Sequence, residues 1–319
     1  MPKVVMLTTL APTTAQRLVE VAPPGYEVEV HSAKLPVEAQ RDAVADADFL
    51  ILFPPSLDNA VLAGAKRLKL IQLVSAGFDQ IDIDLCRRMG IPVANNGGAN
   101  ALDVAEHTLM LLLAFYRRLR EMDDNVRQGR WAAIDSGATT YTIQGKTVGI
   151  AGLGNIGRHV ARLLRAFGAT LLYADAEPAP LGVEQELGIV RVELDDLLQR
   201  ADAVTLHVPL NASTRGLIGA RELALMKPSA VLINTCRGPV VDEQALAAAL
   251  RDGVIAGAAL DVFAQEPPDP ENPLFELDNV LLTPHSAGVT VDTWARRGRF
   301  VFENLQRVWN GEPPLAVVS

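Results

Sequence analysis

Cysteine is scarce in this sequence, with only Cys86 and Cys236 among 319 residues. Two cysteines exclude a disulfide-built scaffold and suit a reducing compartment, so we expect a cytoplasmic protein. Positive charge is also scarce, because 29 Lys and Arg residues face 38 Asp and Glu residues, a formal net charge of −9. A chain with this balance lacks the basic surface that nucleic acids and anionic membranes require, so neither is an expected partner.

Long hydrophobic runs are missing too. The most apolar stretch, at about 109–116, has charged residues on both sides and is far shorter than the roughly 20 residues of a membrane span, so it predicts a buried helix. The amino terminus lacks the cationic start and apolar core of a signal peptide. No spacing of His, Cys or acidic residues is typical of a metal site, so no metal is expected.

Instead, short apolar runs alternate twice with helical patterns, which predicts an α/β protein with two doubly wound parallel-sheet domains. The proportion of hydrophobic residues, 49%, is ample for two cores. The first alternation has predicted strands at about 3–7, 27–31, 49–53, 70–74 and 92–94. The second has them at about 148–151, 170–174, 203–207, 231–234, 257–260 and 280–282.

A glycine-rich turn opens the second alternation. A short apolar strand precedes Gly152-Leu153-Gly154-Asn155-Ile156-Gly157, and a helical pattern from Arg158 to Phe167 follows it. In this context the glycines permit a tight turn, close approach of the backbone to a pyrophosphate, and close packing of helix on strand. The helix N-terminus adds unpaired N–H groups. We therefore expect Gly152, Gly154, Asn155, Ile156 and Gly157 to bind a dinucleotide.

Asp175 ends the next predicted strand and indicates which dinucleotide is bound. A carboxylate at this place accepts hydrogen bonds from the hydroxyls of the adenosine ribose, whereas a 2′-phosphate would meet like charge and calls for a nearby arginine. No Arg or Lys occurs between Ala174 and Val190. The sequence therefore favours NAD over NADP; mere solvation of the strand end is the alternative.

The domain boundaries follow from the connections. A long helix is expected from about Ala101 to Asp124, between the glycine- and asparagine-rich stretch 95–100 and the irregular segment 130–145. The last predicted helix, Thr290 to Trp309, follows the final strand and can return to the first domain, although it could also stay with the second. We predict a substrate domain at 1–99 and 289–319 and an NAD-binding domain at 100–288, with a connecting helix within the segment 101–145.

Three chemically complementary side chains follow predicted strands of the second domain. Arg237 follows 231–236, Glu266 follows 258–263, and His285 follows 280–284. Ligands of doubly wound sheets bind beyond the carboxyl ends of the strands, so the three are expected to converge. An arginine fork matches a carboxylate, a histidine exchanges a proton near neutral pH, and a glutamate would orient that histidine and stabilise its charged form. We predict that they are the catalytic residues of a hydride transfer.

Structural explanations exist for each of these residues alone: a surface salt bridge, solvation of a loop, or a satisfied polar contact. Their joint occurrence favours catalysis. His207, at the end of a predicted strand, and His107 are interpreted as structural residues; the alternative for His207 is a second catalytic base. Cys236 is interpreted as a backbone contact to the cofactor, because a hydride transfer needs no thiolate.

Taken together, the motifs resemble the D-isomer-specific 2-hydroxyacid dehydrogenase family over essentially the whole chain. The resemblance is carried by the glycine turn and by segments at 104–107, 207–210, 214–218, 234–242, 260–267 and 283–288. It implies a Rossmann-type cofactor domain and a flavodoxin-like, discontinuous substrate domain. It also implies a homodimer formed through the cofactor domain, with the segment 101–145 as its dimerisation arm, and closure of the domains around the substrate.

The resemblance implies roles for individual residues. Arg237 would bind substrate, Glu266 would pair with His285, and His285 would be the acid/base. Backbone amides of Ser75, Ala76 and Gly77 would bind the substrate carboxylate. Further cofactor contacts are implied for Val104, Val208, Pro209, Thr214, Thr235, Cys236 and Asp261.

Two positions depart from the family pattern, and a third separates its branches. Gly97 stands where a proline is usual, which predicts a looser hinge. Cys236 replaces a small Ala or Ser and could perturb cofactor contacts. Glu266 argues against the formate dehydrogenase branch, in which glutamine pairs with the histidine.

We therefore expect an NAD-dependent oxidoreductase that reversibly reduces a small anionic 2-oxo acid, such as glyoxylate, hydroxypyruvate or pyruvate, to a D-2-hydroxy acid. The expected pocket wall includes apolar residues that core packing explains equally well: Phe53, Pro54, Pro55, Phe78 and Trp294. The alternative function is an NAD-sensing scaffold, similar to the transcriptional co-repressors that resemble this family, which binds the cofactor without significant turnover. The chain has no extended tails for docking partners, which favours the enzyme.

Overall fold

The computed structural model describes residues 1–131 and 133–319, which form two compact units. One unit contains residues 1–100 and 289–319, and the other contains residues 101–288. The strands are β1 (Lys3–Thr8), β2 (Glu27–Ser32), β3 (Phe49–Phe53), β4 (Leu70–Leu73), β5 (Val93–Ala94), β6 (Thr147–Ala151), β7 (Thr170–Ala174), β8 (Ile189–Arg191), β9 (Ala203–Leu206), β10 (Val231–Asn234), β11 (Gly257–Leu260) and β12 (Val280–Leu282). The α-helices are α1 (Pro12–Val19), α2 (Val37–Val44), α3 (Asn59–Leu62), α4 (Ile83–Arg88), α5 (Ala101–Tyr116), α6 (Leu119–Arg127), α7 (Asn155–Ala166), α8 (Val183–Leu187), α9 (Leu194–Arg200), α10 (Ala220–Leu225), α11 (Glu243–Arg251) and α12 (Thr293–Trp309).

Both sheets are entirely parallel, which confirms the predicted fold class. The first has the strand order β2-β1-β3-β4-β5, the flavodoxin-like order. The second has the order β8-β7-β6-β9-β10-β11-β12, which is the Rossmann order with one added strand. Its order reverses between β6 and β9, the place where such sheets bind ligands.

The inner strands of both sheets are continuous apolar runs because helices cover both faces of each sheet, whereas the edge strand β2 is largely polar. In β1 and β3, the stretches Val4–Leu7 and Phe49–Leu52 are fully buried. Helix α12 completes this first core with Trp294, Val301, Phe302 and Leu305. A Cβ atom at Gly298 would overlap the carbonyl of Leu18, so α12 lies directly on α1. The last helix therefore belongs to the first unit.

Gly97, in the segment 95–100, has a φ of +59° and lies under the aromatic ring of Phe300. A proline is confined to φ near −65° and its ring would overlap that of Phe300. The glycine is therefore required by backbone conformation and packing. The Oδ1 atom of Asn95 accepts a hydrogen bond from its N–H at 3.0 Å.

The expectation of one helix from Ala101 to Asp124 is wrong, because the chain forms α5 and α6 with a break between them. Arg118 has a φ of +50°, which no α-helix contains. The carbonyl of Tyr116 accepts a hydrogen bond from the N–H of Tyr141 at 2.9 Å, so the end of α5 is satisfied by a distant residue. Within the described ranges, none of the helices has the length and apolar character that crossing a membrane needs.

Candidate active site

Loops that follow the strands of the second sheet carry most of the predicted site residues. The glycine turn follows β6, Asp175 follows β7, and Val208, Pro209 and Thr214 follow β9. Thr235, Cys236 and Arg237 follow β10, Asp261 and Glu266 follow β11, and His285 follows β12. Since all these strands are parallel, the loops lie along one edge of the sheet.

The glycines of the turn are required at two positions and leave open space at the third. Gly152 has a φ of +94°, and a Cβ atom there would lie 2.7 Å from the carbonyl oxygen of His207. A Cβ atom at Gly157 would overlap the carbonyl oxygen of Gly152, so α7 packs against the turn at its closest approach. Gly154 caps α7, and nothing lies within 4 Å of its Cβ position.

Asp175 is joined to this turn, since its Oδ2 atom accepts a hydrogen bond from the N–H of Leu153 at 2.7 Å. The turn, the N–H groups of the first turn of α7 and the Asp175 carboxylate fit the pyrophosphate and ribose of a dinucleotide. The backbone from Gly152 to Gly157 would hold the pyrophosphate. The Oδ1 atom of Asp175 would accept a hydrogen bond from a ribose hydroxyl.

Arg191 is a further residue beside Asp175, and no motif of the sequence indicated it. Its Nη2 atom donates hydrogen bonds to the carbonyl oxygens of Asp175, at 2.9 Å, and Ala176, at 3.3 Å. It lies in β8, a strand of three residues that is too short to show a hydrophobic pattern in the sequence. It directly follows the stretch from Ala174 to Val190, which contains no Arg or Lys. The local signal that could have found it is an arginine in the strand next to the acid.

The pair of His285 and Glu266 is formed. Nδ1 of His285 lies 2.6 Å from Oε2 of Glu266, and Oε1 of Glu266 accepts a hydrogen bond from the N–H of Phe263 at 3.1 Å. Partial burial alone would raise the pKa of the Glu266 carboxyl, but the hydrogen bonds from His285 and Phe263 and the charge of Arg237 outweigh it and lower that pKa. The carboxylate is therefore ionised at neutral pH and orients the imidazole.

Asp261 organises the turn that carries His285. It is fully buried, and its Oδ1 atom accepts hydrogen bonds from the Thr283 hydroxyl, at 2.6 Å, and the Ser286 N–H, at 2.9 Å. Its Oδ2 atom accepts from the Ala287 N–H at 2.8 Å, and its carbonyl from the His285 N–H at 2.7 Å. These bonds hold His285 at a φ of +52°, a conformation rare outside glycine.

His107 supports the same network from α5, where its Nε2 atom lies 3.1 Å from the hydroxyl oxygen of Thr283. Because that hydroxyl donates to Asp261, the imidazole is assigned as the donor to Thr283. Burial lowers the pKa of His107, although the nearby Asp261 carboxylate opposes this. His107 is therefore a neutral structural residue at neutral pH.

Arg237 lies at the end of β10 in a tightly held turn. Its Nη1 atom donates to the carbonyl of Cys236 at 2.8 Å, and its own carbonyl accepts from the Asn234 side chain at 3.0 Å. The thiol of Cys236 donates to Oδ1 of Asn234 at 3.1 Å, and burial raises its pKa to about 11. The thiol is therefore protonated at neutral pH and is no nucleophile.

The remaining predicted cofactor residues lie beside these groups. The Thr214 hydroxyl donates to the carbonyl of Pro209 at 2.5 Å, which closes the loop after Val208. The hydroxyl of Thr108, on α5, donates to the carbonyl of Val104 at 2.8 Å and lies 3.1 Å from the hydroxyl oxygen of Thr235. Val104 and Thr235 are thereby tied to each other.

His207, also at the end of β9, is held neutral. Its Nε2 atom lies 2.9 Å from the Thr205 hydroxyl oxygen, and its Nδ1 atom is buried without a partner among the described residues. Burial lowers the pKa of this imidazole to about 3. Residues 1–131 and 133–319 contain no group of three or more His, Cys, Asp and Glu side chains that could hold a metal ion.

Ser75, Ala76 and Gly77 lie in the first unit, in a turn after β4. Three bonds hold their carbonyls: the Asn96 N–H donates to Ser75 at 3.0 Å, the Asn95 side chain to Ala76 at 2.9 Å, and the Ser75 hydroxyl to Gly77 at 2.8 Å. The turn is therefore held in place through its carbonyl groups.

Among the residues expected in a pocket wall, Trp294 is 5% exposed and packs edge-on against Phe53, with 5.8 Å between ring centroids. Its place in the first core accounts for its conformation. Pro54, Pro55 and Phe78 are half-buried.

The strand order, the glycine turn and the acid after β7 define the second unit as a dinucleotide-binding domain of the oxidoreductase type. The model of the D-isomer specific 2-hydroxyacid dehydrogenase NAD-binding domain matches residues 109–287, more than half of the chain. The chain therefore belongs to the D-isomer-specific 2-hydroxyacid dehydrogenase family.

Particular proteins support the same conclusion. A glyoxylate reductase from Aeropyrum pernix is 40% identical over 302 residues, which cover 92% of this chain and 90% of the relative. The structure of D-mandelate dehydrogenase from Rhodotorula graminis has a TM-score of 0.86 at 29% identity and covers 100% of this chain and 98% of that one. An NAD-complexed D-isomer-specific 2-hydroxyacid dehydrogenase from Lactobacillus delbrueckii ssp. bulgaricus has a TM-score of 0.83 at 28% identity, over 99% and 100% of the two chains.

These matches confirm the predicted cofactor and class of enzyme: the chain is an NAD-dependent D-2-hydroxyacid dehydrogenase that reduces a 2-oxo acid. All three of these proteins are named as enzymes, and they give no support to the scaffold alternative.

Proposed function

We propose that this enzyme reduces glyoxylate, or a 2-oxo acid of similar size, to the corresponding 2-hydroxy acid, with His285 as the proton donor. The observation that carries the proposal is the hydrogen bond of 2.6 Å between His285 and Glu266, on the sheet edge that also carries the glycine turn. The similarity to a glyoxylate reductase supports the choice of substrate.

The reaction joins a hydride to the carbonyl carbon of the substrate and a proton to its oxygen. Bound NADH supplies the hydride. Protonated His285 gives its Nε2 proton to the carbonyl oxygen, because its Nδ1 atom is held by Glu266. The ionised Glu266 favours the charged imidazole before the transfer and fixes the ring orientation. In the reverse direction neutral His285 takes the hydroxyl proton.

Arg237 would orient the substrate. Its guanidinium donates in the plane that a carboxylate or carbonyl oxygen requires, and the tight turn after β10 fixes the base of the side chain. The N–H groups of Ser75, Ala76 and Gly77 would bind the substrate carboxylate, which gives residues 1–99 and 289–319 the role of the substrate domain.

The cofactor would be held in the domain at 100–288. Gly152, Gly154, Asn155, Ile156 and Gly157 would bind the pyrophosphate and Asp175 the ribose. Val104, Val208, Pro209, Thr214, Thr235, Cys236 and Asp261 would line the remainder of the site.

We further propose a homodimer formed through the segment 101–145. Apolar side chains of this segment are unusually exposed, with Trp131 82% and Ile134 91% accessible, and Leu119, Val126 and Tyr141 lie on the same stretch. Such exposure is typical of a protein interface. If the dimer is correct, Ile134→Glu should give a monomer by light scattering, whereas an unchanged mass would reject this interface.

A cytoplasmic location is proposed from the two buried, unpaired cysteines.

The function is tested by following NADH oxidation by the purified chain with glyoxylate, hydroxypyruvate, pyruvate and a bulkier 2-oxo acid. The expected result is the highest kcat/KM for one of the small acids. NADH binding without oxidation of NADH by any of them would reject the proposal.

A further inference from the structure

The middle of the loop from Phe263 to Asn272 carries Glu266 and has little packing of its own, although both ends of the loop are buried. Residues 264–267 are exposed, and the side chains of Glu266 and His285 keep 36% and 45% of their accessible surface. Neither side chain is therefore fixed by a surrounding core. The distance between them depends on where the backbone of the loop is held.

Glu243, on the first turn of α11, holds this backbone at both ends. Its Oε2 atom accepts a hydrogen bond from the N–H of Ala264 at 2.9 Å, and its Oε1 atom accepts from the side-chain amide of Asn272 at 2.7 Å. The Asn272 amide oxygen accepts from the Leu274 N–H at 3.0 Å, which fixes the amide orientation. One carboxylate thus joins the two ends of the loop.

A role in the helix itself does not account for this geometry. The helix cap is Asp242, whose side chain accepts the N–H of Ala245 at 3.1 Å. The Glu243 carboxylate is instead turned toward the loop, and both of its oxygens are used there.

The place where Glu243 acts is directly coupled to Glu266. A Cβ atom at Gly238 would overlap the backbone of Phe263 and Ala264, so the start of the loop lies against the residue after Arg237. The Phe263 N–H donates to Glu266, and the next N–H in the chain donates to Glu243. A shift of this backbone would therefore move the carboxylate that orients His285.

We propose that Glu243 is a positioning residue that keeps Glu266 within hydrogen-bond distance of His285. The inference rests on the proposed function, in which His285 exchanges the substrate proton. Glu243 contacts neither the Glu266 nor the His285 side chain; it acts through the backbone of the loop that carries Glu266.

The test uses Glu243→Ala and Glu243→Gln. Alanine removes both hydrogen bonds, whereas glutamine keeps an acceptor for Ala264 but turns an NH₂ group toward that of Asn272. Glu222→Gln is the matched control, because Glu222 also lies on the first turn of a helix, α10, and accepts a backbone N–H, from Gly219 at 3.0 Å. Glu222 contacts no part of the loop from Phe263 to Asn272.

Two measurements are made on each variant: the pH dependence of kcat/KM for oxo-acid reduction, and the pH titration of the His285 imidazole by ¹H–¹⁵N NMR, assigned with His285→Gln. We expect Glu243→Ala to lower kcat/KM at neutral pH by about tenfold and to move both midpoints to lower pH, because the charged imidazole loses part of its partner. Glu243→Gln should give a smaller change in the same direction. NADH affinity should stay within about twofold of that of the parent chain.

Unchanged midpoints in both Glu243 variants, or an equal shift of the midpoints in Glu222→Gln, would overturn the proposal. A loss of stability alone would lower the melting temperature of a variant and leave the titration of its His285 imidazole unchanged. The NMR titration does not depend on turnover. Failure of the proposed function would appear as a parent chain that oxidises no NADH, while the titration would still report on Glu243.

Discussion

The Nδ1 atom of His285 lies 2.6 Å from Oε2 of Glu266, and the second carboxylate oxygen is held by the Phe263 N–H. The hydrogen bonds and charges around Glu266 lower the pKa of its carboxyl despite partial burial. The carboxylate is therefore ionised above its lowered pKa, and its negative charge is lost as the pH falls through that value.

Glu266→Gln keeps the size of the side chain and removes its charge. We expect kcat/KM for oxo-acid reduction to fall about tenfold at neutral pH, and the pH at which the rate is halved to move downward, because the charged imidazole is less favoured. The measurement is a pH profile of the variant beside the parent chain. A profile with the parent's midpoint would contradict the assigned role of Glu266.

The glycine turn allows binding to be separated from folding. At Gly154 an added Cβ atom meets nothing within 4 Å, whereas at Gly157 it overlaps the carbonyl of Gly152. Gly154→Ala should therefore melt like the parent chain but bind NADH at least about tenfold more weakly, since its methyl group takes the space of the pyrophosphate. Gly157→Ala should lose both stability and binding. Unchanged NADH titrations of Gly154→Ala would show that the pyrophosphate lies elsewhere.

Asp175 and Arg191 together concern the choice between NAD and NADP. Asp175→Asn keeps an acceptor for the Leu153 N–H and removes the negative charge, while Arg191 remains bonded to the carbonyl of residue 175. We expect the ratio of kcat/KM with NADPH to that with NADH to rise about tenfold or more. Adding Arg191→Ala should reverse most of this rise. If the double variant had the same NADPH-to-NADH ratio of kcat/KM as Asp175→Asn alone, a role for Arg191 in cofactor choice would be excluded.

His207 makes a prediction about stability. Its folded pKa of about 3 lies below its ordinary value of 6.5, so the unfolded chain binds a proton in this range and the folded chain does not. Stability is therefore full above about pH 6.5 and decreases as the pH falls toward 3, by at most about 1.4 kcal/mol per pH unit from this residue. In urea unfolding, His207→Gln should lose less stability than the parent chain between pH 7 and pH 5. Parallel losses would mean that His207 is not buried in its neutral form.

The sequence predicts those parts of the fold and the site whose residues are close together in the chain. A strand, three spaced glycines and a following acid are close together in the chain, and parallel strands bring their ends to one edge without further information. The break at Arg118 was missed because the carbonyl of Tyr116 is satisfied by Tyr141, far along the chain. The bonds of Asp261 to Ser286 and Ala287 likewise join separate segments, so no local pattern shows them.

The most direct test of the catalytic account is the rate of NADH oxidation by His285→Ala with glyoxylate at saturating NADH, beside a titration of NADH binding to the same variant. The account predicts binding within about twofold of the parent chain and a rate reduced by roughly 10²-fold or more, because the proton donor is gone. Oxidation at the parent rate would contradict it.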